Sequence, residues 1–372
     1  MNILHYISGK DGCGYYRCIV PAIAINQYEG YQAHIRTYFS KEAIDWANVI
    51  IFQKQYKDDA WHWFQYALAQ NKIVLYEADD DYFNIPQWNP THNWFRSHLP
   101  KWERFMRAAT GIIVSTEHLK KQLQHLNSNI YVHLNAIDFN FIEKIEQGNP
   151  LQKVYRVNDK FQKTELTKKE IQKSKQEGFI HLGWGGSPTH QKDLTIIEEV
   201  LFSLLNQYSN IKVFNIGYTL NWLAKNAPKD RFYMIEGVDV EYYLPLLDFC
   251  QLDIGVAPLE DNIFNRSKSN LKKLEYKALK TAVVASDVEN YQLTLKNFPN
   301  CGVLVGDKQK TWLKELRKLI LNSSYRESLK ENGYQLIKNN YSAYKLAAER
   351  ISLFEDLRKK NGQSSHRPAL SS

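Results

Sequence analysis

Three consecutive carboxylates, Asp79, Asp80 and Asp81, follow a short apolar run that ends at Tyr76. Adjacent carboxylates repel one another unless a cation, a hydrogen-bond donor or solvent offsets their charge. Such a cluster is therefore typical of a catalytic base, an acceptor for ligand hydroxyl groups or a set of metal ligands. Solvated acids that cap a turn or a helix are the simpler alternative, and the sequence leaves both interpretations open.

Glycine-bearing loops follow two other apolar runs, at residues 8–17 and 183–194, and each precedes a helix-length segment. Glycine lets the backbone approach a ligand closely, and the N-terminus of a helix attracts anions. Neither loop has the G-x-G-x-x-G spacing of dinucleotide-binding proteins, so an ordinary tight turn is the alternative for each. We expect the loops to bind a phosphate or a sugar through Gly12, Gly14, Tyr15, Arg17, Gly185, Gly186, Ser187 and His190.

The third candidate is a lysine near the start of a helix predicted to begin at Ser267. A cation is unfavourable at the N-terminus of a helix, so Lys268 predicts an anion such as a diphosphate beside it. Glu275, about two turns further along, would accept hydrogen bonds from ribose hydroxyls. An exposed surface lysine is the alternative interpretation of Lys268.

Apolar runs of strand length alternate with helix-length segments along most of the chain, which predicts parallel sheets covered by helices. The runs are residues 2–7, 33–39, 49–52, 73–76, 111–115 and 130–134, then 179–184, 211–216, 232–235, 252–257, 282–286 and 302–305. We expect an α/β protein with Rossmann-like domains at residues 1–147 and 178–340, joined by a basic segment at 148–177. A C-terminal helix at 341–360 would cross back to the first domain, and residues 361–372 would form a disordered tail.

The composition favours a globular protein, since 44% of the 372 residues are hydrophobic. No apolar run reaches the roughly 20 residues that cross a bilayer. The four cysteines show neither zinc spacing nor a disulfide framework, which predicts reduced thiols and a cytoplasmic location. The formal charge of +8 favours a polyanionic partner, such as nucleic acid, an anionic membrane or a phosphorylated substrate.

Three segments resemble, in their order as well as in their motifs, the donor half of the retaining glycosyltransferases with the GT-B fold, especially the large family-4-like class. They are residues 180–194, the stretch Y-M-I-E-G-V-D-V-E-Y-Y that begins at Tyr233, and D-I-G-V-A-P-L with Glu275 and V-V-A-S behind it. The resemblance covers the second half of the chain well. It extends to the first half only through topology and the loop that holds Gly12 and Gly14.

The resemblance implies two Rossmann-like domains facing each other across a cleft, with a nucleotide-diphosphate sugar, most readily a UDP-sugar, as donor. It implies no essential metal, although the acidic triplet leaves a divalent cation open, and an acceptor on the first domain. Ser267 stands where these enzymes have a glutamate. Retention and inversion therefore both stay open, and inversion would need a base, for which Asp80 is the first choice. The donor ligands implied in the second half are Gly237, Val238, Lys268, Ser269, Asn270 and Glu275.

For the acceptor we favour a hydroxylated pyrimidine base in DNA, as in bacteriophage enzymes that glycosylate their own genomes. Such a base would have to leave the duplex, and Trp88, Trp94 or Tyr82 could stack on the opened site. Lys168 and Lys169 in the basic segment would contact the phosphate backbone. The alternatives are transfer to a surface polysaccharide or a lipid-linked glycan at an anionic membrane, and a non-catalytic protein that binds nucleotides or nucleic acid.

Overall fold

Two β-sheets, one in each half of the chain, result from the alternation of apolar strands and amphipathic helices. The molecule is described by a computed structural model over residues 1–158, 160–218, 221–295 and 298–364. The predicted α/β class with two Rossmann-like halves is confirmed.

The first sheet has six parallel strands in the order β2-β1-β3-β4-β5-β6. They are β1 Asn2–Ile7, β2 Gln32–Arg36, β3 Val49–Gln53, β4 Ile73–Ala78, β5 Gly111–Val114 and β6 Ile130–Val132. Parallel strands end at the same edge of a sheet, where open α/β sheets bind ligands. The loop after β1 and the carboxylates after β4 therefore lie on one edge.

The second sheet has eight strands in the order β14-β13-β12-β9-β10-β11-β7-β8. They are β7 Lys153–Val157, β8 Lys163–Thr167, β9 Ile180–Gly186, β10 Ile211–Gly217, β11 Phe232–Ile235, β12 Ile254–Ala257, β13 Ala282–Ser286 and β14 Val303–Val305. The strands β7 and β8 form an antiparallel hairpin that joins β11 through Arg156 and Ile235. Much of the segment that the sequence places between the domains is thus part of the second sheet.

Helices cover both sheets, and a π-helical segment, Tyr15–Ile19, and a 3₁₀ turn, Pro188–His190, occur among them. None of the helices within the described ranges combines the length and apolar character needed to cross a bilayer. In the first half they are α1 Gly12–Gly14, α2 Val20–Ile25, α3 Lys41–Trp46, α4 Asp58–Ala69, α5 His92–Ala108, α6 Glu117–Leu123 and α7 Phe139–Gln147. The others are α8 Lys168–Gln176, α9 Gln191–Thr195, α10 Glu198–Gln207, α11 Asn221–Asn226, α12 Val240–Cys250, α13 Ile263–Ser267, α14 Leu271–Ala278, α15 Glu289–Leu295, α16 Gln309–Leu321, α17 Ser323–Asn340 and α18 Ala343–Ser364.

The C-terminal helix α18 packs on α2 of the first half. The rings of Tyr28 and Tyr344 stack at 4.5 Å, and the buried guanidinium of Arg350 donates to Glu77 at 2.8 Å and to the carbonyl of Arg17 at 2.9 Å. This helix, which overlaps the one predicted at 341–360, thus lies against the first half of the chain. It also includes residues 361–364, where the sequence predicts a tail, and the rest of that tail lies outside the described residues.

One continuous apolar cluster joins the two halves. It includes Ile51 of β3, Ile142 of α7, Leu246 of α12 and Leu274 of α14, all of which are buried. Because interiors pack at crystal-like density, this shared core fixes the relative position of the two sheets. The carboxyl edges of the sheets consequently face each other across a cleft.

Candidate active site

A cavity of 1330 Å³ occupies the space between the two carboxyl edges. Ligand sites commonly measure about 300–1,000 Å³, so a ligand as large as a nucleotide sugar fits. The wall of the cavity carries charged groups of both signs from both halves of the chain. They include Lys54, Asp79 and Asp80 of the first half, and Lys268, Lys272 and Glu275 of the second.

The acidic triplet divides into two cavity-lining carboxylates and one structural one. Burial and the neighbouring charge of Asp80 raise the pKa of Asp79 to about 6. Burial opposes ionisation of Asp80 as well, but the ammonium groups of Lys268 and Lys54 outweigh it and lower the pKa. Asp81 is fully buried and accepts hydrogen bonds from the Phe83 N–H at 3.2 Å and the Asn84 side chain at 2.8 Å, so it caps the turn that follows.

Lys268 reaches across the cleft to the first half of the chain. Its Nζ lies 3.4 Å from Oδ1 of Asp80 and 4.5 Å from the ring centre of Phe264. Burial opposes the charge of this lysine, yet Asp80 and Asp193 raise its pKa above the usual value. A charged ammonium therefore stands beside the cavity at all physiological pH values.

The helix behind Lys268 begins four residues later than the sequence predicts. The short helix α13 ends at Ser267, Lys268 adopts an extended conformation, and α14 begins at Leu271 after Asn270. The first N–H groups of a helix have no partner within it and carry a partial positive charge. Ser269, Leu271 and Lys272 line the cavity, so this positive end faces the cleft.

Two titratable groups on α14 are buried at the cavity wall. Burial lowers the pKa of Lys272 to about 8, and its ammonium donates to the carbonyl of Gly185. Burial raises the pKa of Glu275 to about 7, although Lys272 acts in the opposite direction. The hydroxyl of Tyr16, on the first half, lies beside Glu275. The two halves therefore meet at Glu275, where a ribose hydroxyl would find an acceptor.

His190 faces the same cavity from the start of α9. Its Nδ1 lies 2.7 Å from Oδ2 of Asp193, a fully buried carboxylate that also accepts the Glu260 N–H at 2.8 Å and the Asn265 side chain at 3.1 Å. Burial and the positive charge of Lys272 lower the pKa of His190 to about 4. The ring is therefore neutral at pH 7.

The structure brings eleven of the predicted site residues to the cavity wall. They are Gly12, Asp79, Asp80, Gly186, Ser187, His190, Gly237, Val238, Lys268, Ser269 and Glu275. The side chain of Ser269 also accepts a hydrogen bond from Asn135 of the first half at 2.9 Å.

Other predicted donor residues lie behind the wall. A Cβ on Gly14 would be 2.1 Å from the Gly9 carbonyl oxygen, and one on Gly185 would be 2.4 Å from the Tyr243 hydroxyl. These glycines allow close approach of protein atoms rather than of a ligand. Arg17 is buried against Glu77 at 2.6 Å. Tyr15 packs edge-on against Tyr16, and Asn270 donates to Thr294 at 2.8 Å.

The residues predicted to bind the acceptor also lie outside the cavity wall. Lys168 and Lys169 begin α8, beside the hairpin. Trp88 is half-buried under the ammonium of Lys192, which lies 5.5 Å from its ring centre. Trp94 is 42% exposed and packs edge-on against Trp102.

Several lining residues were not predicted from the sequence: Cys13, Tyr16, Lys54, Phe161 and Lys272. Lys54 directly follows β3, so its position at the carboxyl end of a strand was an available signal. Lys272, in the first turn of α14, repeats the electrostatic misplacement that identified Lys268. Phe161, at the tip of the hairpin, is 84% exposed and has a left-handed φ of 59°, and no local pattern announces it.

One group of side chains among the described residues has the composition of a metal site. A sulfur of Cys13 and an oxygen each of Asp79 and Asp80 lie within 4.8 Å of one another. Positive charge from Lys54 acts on both carboxylates. Lys54 thus offsets the repulsion between the two carboxylates without an ion, and a divalent cation would have to compete with this lysine.

Comparison with known proteins supports the fold. No protein-family model and no curated protein sequence matches the chain. Among solved structures, sucrose-phosphate synthase from Thermosynechococcus elongatus is 13% identical over 96% of this chain and 99% of its own, with a TM-score of 0.64. HepE from Anabaena, solved with UDP and glucose, is 10% identical over 96% of this chain and 100% of its own, with a TM-score of 0.63. The trehalose-6-phosphate synthase OtsA is 15% identical over 94% and 84%, with a TM-score of 0.55.

These similarities extend over nearly the whole chain and over both sheets. The fold is therefore the GT-B fold of two Rossmann-like halves around a cleft, which confirms the architecture implied by the resemblance. Identities of this size show the fold alone.

Proposed function

We propose that the protein is a glycosyltransferase that moves a sugar from a nucleotide-diphosphate sugar, in the first place a UDP-sugar, to an acceptor hydroxyl. The observation that carries the proposal is the convergence of Lys268, Lys272 and the N-terminus of α14 on one cavity wall. Three positive features at one place suit a diphosphate, which leaves with negative charge when the glycosidic bond to the sugar breaks.

The opposite wall supplies groups suited to the acceptor. Asp79 has a pKa of about 6, so at neutral pH it is mostly ionised and yet basic enough to take a proton from a hydroxyl. Asp80 is held by Lys268 and is the weaker base, so the charge environment favours Asp79 for this role over Asp80, the choice from sequence. A base in this position fits inversion at the anomeric carbon, and retention would not need it.

The donor is supported by the layout of the cavity. Glu275 lies about one turn beyond Lys272 on the same helix, which suits a ribose attached to a diphosphate at the helix start. Gly237 and Val238 line the cavity beyond the end of β11, where a base would follow. HepE, which shares the fold, has been solved with UDP and glucose.

The acceptor proposed from the sequence, a hydroxylated pyrimidine in DNA, depends on the net charge of +8. Lys168 and Lys169 lie on α8 outside the cavity wall, so a DNA contact there would have to extend beyond the cleft. A surface polysaccharide or a lipid-linked glycan is the alternative acceptor, and it needs no such contact.

A transfer assay tests the proposal. The protein is incubated with radiolabelled UDP-sugars and, in parallel, with DNA containing hydroxymethylated pyrimidines, with bacterial polysaccharide or with lipid extract. We expect UDP release and label in one of the polymers. Binding of UDP without turnover of any UDP-sugar would instead support a non-catalytic nucleotide-binding protein. If DNA is labelled, reversing the charges of Lys168 and Lys169 should weaken transfer and reduce its salt dependence.

A further inference from the structure

His190 lines the cavity, where the charges of Lys272 and Lys268 act on its ring, and it pairs with Asp193 behind the wall. Asp193 is fully buried and its two oxygens accept from the His190 ring, the Glu260 N–H and the Asn265 amide. These hydrogen bonds fix the carboxylate in place, with one oxygen turned towards the ring of His190. It therefore holds the proton of the His190 ring on Nδ1, and Nε2 is left as an unprotonated nitrogen.

A neutral ring in this tautomer is a poor partner for a diphosphate. Nε2 would present a lone pair to an anion, whereas a phosphate oxygen needs a donor. Burial is the main reason why the pKa of the ring is low and the ring is neutral, and the charged groups around it act as well. Lys272 and Lys268 oppose protonation, while Asp193 favours it and Asp80 on the facing half acts in the same direction.

A diphosphate would reverse this balance, because it would add negative charge next to the same lysines. We propose that His190 takes up a proton when the nucleotide diphosphate binds and donates Nε2–H to a phosphate oxygen, while Asp193 retains Nδ1–H. This inference depends on the proposed function only in that the ligand is a nucleoside diphosphate. Donor binding and proton uptake are then one coupled event, with Asp193 as the positioning residue.

The protonated ring has a further consequence for the leaving group. When the bond between the sugar carbon and the diphosphate oxygen breaks, the electron pair goes to that oxygen. The imidazolium beside it offsets this charge together with Lys268 and Lys272. After the nucleotide leaves, the ring returns its proton to solvent and becomes neutral again.

Isothermal titration calorimetry with UDP tests the coupling. The observed binding enthalpy is measured at pH 7.5 in buffers that differ in ionisation enthalpy, and its slope gives the number of protons taken up, expected to be up to about one per site. In His190→Gln the uptake should be lower than in the wild type by the share of His190, and the affinity for UDP should fall about 10- to 100-fold, since a charge-assisted hydrogen bond is lost.

Asp193→Asn separates a proton switch from a merely structural role. The asparagine retains an oxygen for the Glu260 N–H and can donate its amide N–H to Nδ1, which moves the ring proton to Nε2. UDP should then bind without the proton uptake of the wild type and more tightly than it binds to His190→Gln. His118→Gln is the matched control, because His118 also pairs with a carboxylate, Glu289 at 2.9 Å, but does not line the cavity.

The outcomes distinguish this inference from the proposed function. If the wild type binds no UDP, the proposed function fails. If the wild type binds UDP with the same dilution-corrected enthalpy in every buffer, no protons are taken up and the inference about His190 is wrong. The same holds if His190→Gln keeps the full proton uptake. The proposed function stands in both cases. Other titratable groups of the cavity, Glu275 and Asp79 among them, remain in both variants and so cancel in the comparison.

Discussion

Replacing Lys268 with methionine removes the cation that reaches across the cleft while keeping most of the volume of the side chain. At 3.4 Å and an effective dielectric constant of about 20, the attraction between its Nζ and a unit negative charge is about 5 kcal/mol before solvation costs. Loss of one such contact to a leaving group typically reduces kcat about 10²- to 10³-fold. We expect a loss of this size in the transfer assay, with a smaller change in KM.

The same substitution leaves Asp80 with less positive charge around it, so lost activity alone would not identify the role of Lys268. Lys268→Met is therefore compared in the wild type and in an Asp80→Asn background. If the lysine acts on the diphosphate, its replacement lowers kcat by about the same factor in both backgrounds. The loss of thermal stability in Lys268→Met, in contrast, should be largely reversed by Asp80→Asn.

A control for ion pairs between the two halves is Lys280→Met, because Lys280 contacts Glu146 at 3.3 Å outside the cavity. It should leave kcat unchanged. The reasoning would be refuted if Lys268→Met had no effect on kcat in the Asp80→Asn background, since Lys268 would then serve only to neutralise Asp80.

Three further predictions concern pH, metal and stability. At saturating UDP-sugar, where proton uptake by His190 on donor binding no longer affects the rate, the kcat/KM for the acceptor should rise as Asp79, with a pKa of about 6, loses its proton; a flat profile in initial-rate measurements would contradict this. Treatment with EDTA should leave transfer unchanged because Lys54 already offsets the acidic pair, and a loss reversed by added Mn²⁺ would show that a metal is needed. Arg350→Met should lower the free energy of unfolding by about 3 kcal/mol in urea titrations, because Glu77 loses a buried partner. An unchanged midpoint of unfolding would show that the ion pair between Arg350 and Glu77 does not anchor α18.

The strands that could be predicted are those buried on both faces. Three strands have the same bounds as their apolar runs: β1 at 2–7, β11 at 232–235 and β13 at 282–286. A strand covered by helices on both sides reads as a continuous apolar run, so its ends are visible in the sequence. The same rule explains why two halves of similar topology could be recognised without any repeat.

The hairpin of β7 and β8 was missed for the opposite reason. Only Val154 in β7 and Leu166 in β8 are buried, and lysine, glutamate and threonine fill most of the other positions. An edge hairpin exposed on one face has too little apolar periodicity to be separated from a charged linker.

Within the site, charge at a helix terminus was a usable local signal, and it led to Lys268. Pairing between residues far apart in the sequence gave no such signal. Arg17 was expected in the donor loop, but Glu77, 60 positions away in the sequence, holds it in the interior together with Arg350. The different roles of the three carboxylates could not be predicted from the sequence either, because they depend on Lys54 and Lys268 from distant segments.

The most direct test of the account is a crystal structure of the protein with UDP. We expect the diphosphate to lie between Lys268 and the first turn of α14, with the ribose hydroxyls within hydrogen-bonding distance of Glu275. A complex in which the phosphates lie elsewhere on the protein, with this helix terminus facing only solvent or protein atoms, would contradict it.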